Sequence, residues 1–212
     1  MSEPLIRRLS ADLRPVSRTA VVRRLALGVG AGAVVSLALI AATLGLRPDM
    51  MHAASGAMFW IKLAYTLAVA VVAIWTCERL GRPAEDGSRR PLWLAVPVLA
   101  VGTLAAWQLL RAPEPMRMHM VMGGSAEVCP WLILASSLAP LIGLVWAVRG
   151  LAPTRLRLTG LMAGLAAGGA GATAYALHCD ESAAPFLAIW YTLGVVAAGA
   201  LGGLLGPRVL RW

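Results

Sequence analysis

Charge is scarce in this 212-residue chain: only 14% of residues are Asp, Glu, Lys or Arg, whereas 59% are hydrophobic. A soluble domain carries about 25% charged and about 45–50% apolar residues, so the balance argues against a soluble fold. Alternating apolar and polar segments of about ten residues are also lacking, which excludes a transmembrane barrel. The loops are short, and no soluble domain fits between the apolar runs. No G-x-S-x-G, Walker loop or H-E-x-x-H is present, so the motif-borne chemistries of hydrolases, nucleotide-dependent enzymes and zinc proteases have no carrier. Neither C-x-x-C nor H-x₃-H occurs among the three cysteines and three histidines, which removes the usual signatures of a thiol oxidoreductase or a zinc module. The chain reads as a non-enzyme.

What is present is length in the apolar runs. Six blocks, roughly 25–46, 57–77, 91–110, 127–148, 157–177 and 184–206, are each about as long as a bilayer-crossing helix. Mean hydropathy is +0.74. The fold class expected is all-α: a polytopic membrane protein with a six-transmembrane-helix bundle. The first block lacks a following cleavage site and reads as a retained helix, not a signal peptide.

Arginine sets the orientation. Arg7, Arg8, Arg14, Arg18, Arg23 and Arg24 precede the first block, and the loops 78–90 and 149–157 and the C-terminal end carry more. Only Arg47, Arg111 and Arg117 fall on the opposite side. The positive-inside rule then places both termini in the cytoplasm. The formal net charge of +9 follows from this basic inner face against anionic lipid and gives no sign of direct nucleic-acid binding. Trp60, Trp107, Trp131 and Trp190 fall near the outer helix ends, and Trp75, Trp93, Trp146 and Trp212 near the inner ends, as interfacial belts require.

Two regions follow: a cytoplasmic segment, 1–24, and a transmembrane domain, 25–212. In the segment, Leu5, Leu9 and Leu13 repeat at i, i+4, i+8 with Arg7, Arg8 and Arg14 around them, and Pro15 ends the pattern. Such a helix either lies on the membrane surface or docks its Leu face on a protein partner. Within the spans, Gly160, Gly164 and Gly168 repeat every four residues, as do Gly28 with Gly32 and Gly199 with Gly203. This small-residue spacing permits close helix approach, in a compact bundle or in a homodimer. No Asp or Glu lies mid-span, which disfavours an ion-coupled transporter. Lys62, one turn inside the second block, is expected to snorkel outward.

The thiols gather the remaining chemistry. Cys129 opens the fourth block in "GGSAEVCPW", and Cys179 ends the fifth in "LHCDES". Antiparallel neighbours would carry both to one outer depth. Either cysteine alone reads as a small buried hydrophobe; a pair beside His178, Asp180 and Glu181 reads as a site. Cys129, Cys179, His178, His119, Asp180 and Glu181 are the candidate ligands of a soft ion such as zinc, cadmium or copper, bound transiently rather than as a resident cofactor. A disulfide between the two cysteines would need their Cα atoms within about 7 Å, and its formation is left open. Cys77, at the cytoplasmic end of the second block, is read as structural.

The stretches "LSADLRPV", "LRPDM" with "FWIKLAY", "CPWLILASSLAP", "AGGAGATAYALHCDESAAPFLAIWYTLG" and the terminal "LRW" together resemble the NrsF family nearly end to end. That family comprises six-helix inner-membrane anti-sigma factors that hold an extracytoplasmic-function (ECF) sigma factor in proteobacteria. The resemblance implies that Cys129 and Cys179 sense heavy-metal or oxidative stress outside the membrane. It also implies that the cytoplasmic face, with segment 1–24, releases the sigma factor. The competing expectation is a membrane thiol oxidoreductase or a metal transporter.

Overall fold

Runs of Ala, Leu, Val and Gly this long, in a setting without water, satisfy their backbone groups only as helix, and helix is what forms. The computed structural model describes residues 19–81, 90–151 and 153–211. Its helices are α1 (Ala20–Thr43), α2 (Met50–Ser55), α3 (Ala57–Leu80), α4 (Ala95–Arg111, entered through a 3₁₀ turn, Arg90–Leu94), α5 (Glu114–Met122), α6 (Cys129–Arg149), α7 (Leu156–Tyr175) and α8 (Ala184–Val209). No strand occurs among the described residues. The two short helices, α2 and α5, lie in the connections between the long ones. Segment 1–18, with Leu5, Leu9, Leu13, Arg7, Arg8 and Arg14, lies outside the described residues.

Five helical stretches are long and apolar enough to cross a membrane: Ala20–Thr43, Ala57–Leu80, Pro91–Arg111, Cys129–Arg149 and Ala184–Val209. The expected sixth, α7, is a helix in the expected place but falls short of that apolar standard. Its composition explains the difference. Glycine and alanine dominate it, and nearly every residue from Gly160 to Tyr175 is buried, because α3, α6 and α8 surround it. A central helix is selected for close approach rather than for contact with lipid. The outer helices instead turn Leu27, Val34, Leu99, Trp131, Ile142 and Leu204 outward, the apolar girdle that hydrocarbon would cover.

Small residues make the seams. A Cβ on Gly202 would strike the Gly160 carbonyl oxygen, and one on Gly164 would strike that of Ala198. Between α1 and α6, Gly28 and Gly143 abut backbone to backbone, and Gly32 abuts Pro140. The Gly28/Gly32 and Gly160/Gly164/Gly168 repeats are therefore consumed within one chain. Pro140 sharpens the second seam. Having no N–H, it leaves the Ser136 carbonyl without its usual helical donor, and the Ser36 hydroxyl of α1 donates to that oxygen at 2.7 Å. At the other end of the same seam, the Arg24 guanidinium lies 4.7 Å over the Trp146 ring and donates to the Trp146 carbonyl at 3.3 Å.

Candidate functional site

Where α6 packs antiparallel on α7, the Ser136 hydroxyl is shared between the Ile133 carbonyl of its own helix at 2.9 Å and the Gly171 carbonyl of α7 at 3.2 Å. This packing brings the start of α6 and the end of α7 to the same end of the bundle. Cys129 is the first residue of α6, and Cys179 lies on the loop between α7 and α8. Their thiols are neighbours close enough to perturb each other's ionisation. Both are free thiols in this structure and both are buried, Cys129 at 0% and Cys179 at 4% exposure.

Loops are laced around the pair. Glu181 accepts the Gly124 N–H at 2.6 Å and the Ser125 hydroxyl at 3.4 Å, clasping the turn that precedes Cys129 to the loop that carries Cys179. Gly123 is required there: its φ is +51°, a left-handed value that glycine adopts without strain. A Cβ would also sit 2.5 Å from the Glu181 carboxylate. A second lace comes from the connection after α1. That helix ends at Gly45 (φ 78), whose N–H returns to the Ile40 carbonyl as a left-handed cap does. The Gly45 carbonyl bonds His178 Nδ1 at 2.8 Å, and the Arg47 N–H donates to the Leu177 carbonyl at 3.2 Å. Arg47 in turn grips Asp49 through two contacts of 2.7 Å. This fork raises the Arg47 pKa and holds the exposed Asp49 carboxyl below its ordinary range, in both cases chiefly through the side-chain hydrogen bond.

Lys62 departs from expectation. It does not snorkel outward; it is 3% exposed, its Nζ donates to the Cys179 carbonyl at 3.1 Å, and it lies 5.4 Å over the Tyr191 ring. The loop carbonyl and the ring face give the ammonium a closer partner than solvent would, at the depth where α3 meets the Cys179 loop. Two tyrosines complete the surround. Tyr175 neighbours the Cys129 thiol, and Tyr191, fully buried, has its hydroxyl near Cys179 but without a hydrogen-bond partner. Tyr191 ends a single turn of π-helix, Leu187–Tyr191, the kind of register shift that re-aims a side chain in an otherwise regular helix. Cys179 is held below the ordinary thiol range: the neighbouring Cys129 thiol is the largest cause, and Lys62 and Tyr191 add to it against the opposing pull of burial.

Among the described residues no three of His, Cys, Asp and Glu converge in a metal-holding group. Of the six candidate ligands, the structure brings Cys129 and Cys179 together. His178 and Glu181 are committed to the loops, Asp180 is exposed, and His119 is exposed on α5. Cys77 is remote from this end, buried in α3 with its thiol 3.8 Å from the Thr159 carbonyl. The residues that spacing did not reveal are Lys62, Tyr175, Tyr191 and the Arg47–Asp49 fork. One signal was available for Lys62, the single lysine beside eighteen arginines.

Together these features define a helical chain, among the described residues, with five helices long and apolar enough to cross a membrane and a buried, laced thiol pair at one end of its bundle. The family model described as "NrsF: Negative regulator of sigma F" matches residues 9–212. The chain is 40% identical over 212 residues to the "Anti-sigma-F factor NrsF" of Caulobacter vibrioides, covering 100% of this chain and 99% of that protein. It is 36% identical over 211 residues to the "Probable anti-sigma-F factor NrsF" of Azospira oryzae, again covering 100% and 99%. The chain belongs to the NrsF family. No solved structure matches it.

Proposed function

We propose that this protein is an anti-sigma factor of the bacterial inner membrane. In this reading it sequesters an ECF sigma factor of the F type at its cytoplasmic face and releases it when the thiol pair meets heavy-metal or oxidative stress. The observation that carries the reading is the end-to-end relation to the Caulobacter protein named as an anti-sigma-F factor. In this topology α7 crosses the membrane with the other five spans, both termini are cytoplasmic and the thiols face outward. The arginine asymmetry of the loops supports this orientation.

The seam between α6 and α1 gives the signal a physical carrier. Cys129 begins α6, α6 packs along α1 through Gly143, Pro140 and Ser136, and α1 follows segment 1–18 in the sequence. To move the partner from about 1% to about 99% released, the input must favour one arrangement over the other by about 5.5 kcal/mol. Metal–thiolate bonding supplies energies of that order or more, and oxidation to a disulfide draws on the oxidant's potential. The Leu5, Leu9 and Leu13 face is the proposed docking surface, with Arg7, Arg8 and Arg14 complementing an acidic partner.

Co-purification tests the reading. The cognate sigma factor should come down with the intact chain and be lost when residues 1–18 are deleted or when Leu5, Leu9 and Leu13 are replaced by Glu. Cys129→Ser and Cys179→Ser should abolish release under cadmium or peroxide, or leave the regulon fixed in one state. Normal release in both variants rules out the sensor role, and undiminished binding by the truncated chain rules out the segment as the grip.

A further inference from the structure

The two thiols are not equivalent. Cys179 forms part of the wall of a cavity of about 480 Å³, framed by Leu44, Arg47, Ser125, Tyr175 and His178. Cys129 takes no part in that wall. It is at 0% exposure, with Cys179 and Tyr175 as the neighbours of its thiol. Anything small enough to enter the cavity therefore meets one sulfur first. Lys62 lines an adjacent cavity, which shares Arg47, Asp49 and Asp180 with the first. It bonds the Cys179 carbonyl, and among the described residues no carboxylate stands within salt-bridge distance of its ammonium. A cation held there lies beside the one sulfur that becomes negative during attack.

We propose that Cys179 is the entry thiol for a small hydroperoxide-class oxidant, that Cys129 is the resolving thiol, and that Lys62 is a positioning residue holding the Cys179 loop for the first step. Cys179 sulfur attacks the O–O bond of the hydroperoxide; the new S–O bond leaves Cys179 as sulfenic acid, and the displaced oxygen departs as alcohol, or as water from hydrogen peroxide. Cys129 sulfur then attacks the sulfenic sulfur, the S–O bond breaks, the hydroxyl leaves as water with the Cys129 proton, and the S–S bond closes. Two thiols are oxidised by two electrons and one peroxide is reduced. The two thiols are already neighbours, so the second step is a local movement. The assignment rests on the reading of the pair as the input of the switch, and it fixes which thiol faces the signal.

The test uses the intact chain in lipid nanodiscs, hydrogen peroxide as probe, dimedone to trap sulfenic acid, and peptide mass spectrometry. Wild type should form the Cys129–Cys179 bond with little dimedone adduct. Cys129→Ser should accumulate the adduct on Cys179, and Cys179→Ser should leave Cys129 a thiol. Lys62→Met should slow Cys179 oxidation by about tenfold or more, and Lys62→Arg should recover most of the rate, which a merely disrupted fold would not. An adduct on Cys129 in Cys179→Ser at the wild-type rate, no oxidation of either thiol, or Lys62→Met reacting as wild type would overturn the assignment. Sigma-factor release followed on the same samples separates the two ideas. Ordered oxidation without release refutes the switch and spares the thiol order; release with the order reversed does the opposite.

Discussion

Removing the hydroxyl of Ser36 probes the seam that joins the thiol-bearing helix to the N-terminal one. Ser36 is 1% exposed and donates at 2.7 Å to the Ser136 carbonyl, the oxygen that Pro140 leaves without a helical donor. Ser36→Ala strands that carbonyl. An orphaned buried acceptor costs about 1–3 kcal/mol, and side-chain hydrogen bonds between membrane helices average about 0.6 kcal/mol, reaching about 1.7. Because Ser136 has no N–H from its own helix to fall back on, the expected loss lies in the upper part of that range, about 1–2 kcal/mol. Pro140→Ala supplies the missing donor from position 140, so in that background Ser36→Ala should cost only a few tenths of a kcal/mol. Equilibrium unfolding in mixed micelles with increasing SDS measures all four corners of the cycle. A coupling of about 1 kcal/mol is expected. Costs that simply add, to within about 0.3–0.5 kcal/mol, would refute the claim that Ser36 replaces the donor proline removed.

Other substitutions discriminate as sharply. Gly202→Ala places a methyl against the Gly160 carbonyl and should cost about 1–3 kcal/mol in the same assay. Gly30→Ala, on a face with open space, should be neutral or stabilising by up to about 1 kcal/mol. Glu181→Gln removes the charge from the 2.6 Å contact to Gly124 and should weaken that clasp by about 1 kcal/mol, read as faster amide exchange at Gly124 with little change in global unfolding. Acidification should release the Arg47–Asp49 fork. Asp49 titrates below its unfolded value, so the contact is fully present above about pH 4 and is lost as pH falls through the lower folded value. Chemical-shift titration of Asp49 and proteolysis near residues 44–49 would follow it, and an Asp49 midpoint at or above the unfolded value would contradict the fork.

The sequence alone determined the long helices and the shared end of the bundle at which the two cysteines stand. Long apolar runs have no other way to satisfy their backbone groups in lipid, and Cys129 and Cys179 stand at the ends of neighbouring runs, so antiparallel packing was enough to bring them together. Their motif also carried the family. Tertiary structure decided the rest. Whether Gly160, Gly164 and Gly168 close on another copy or on Gly202, Gly206 and Val195 of the same chain depends on which helix lies opposite, and a repeat cannot state that. The low hydropathy of α7 marks a helix ringed by others, a property of its neighbours. Lys62 shows the limit most plainly. A lysine one turn from a helix end has water within reach in one dimension; only in three dimensions do the Cys179 carbonyl and the Tyr191 ring stand closer than the solvent. The π-turn that aims Tyr191, and the two loops that clasp the thiol pair, likewise join residues far apart in the chain, where no periodicity links them.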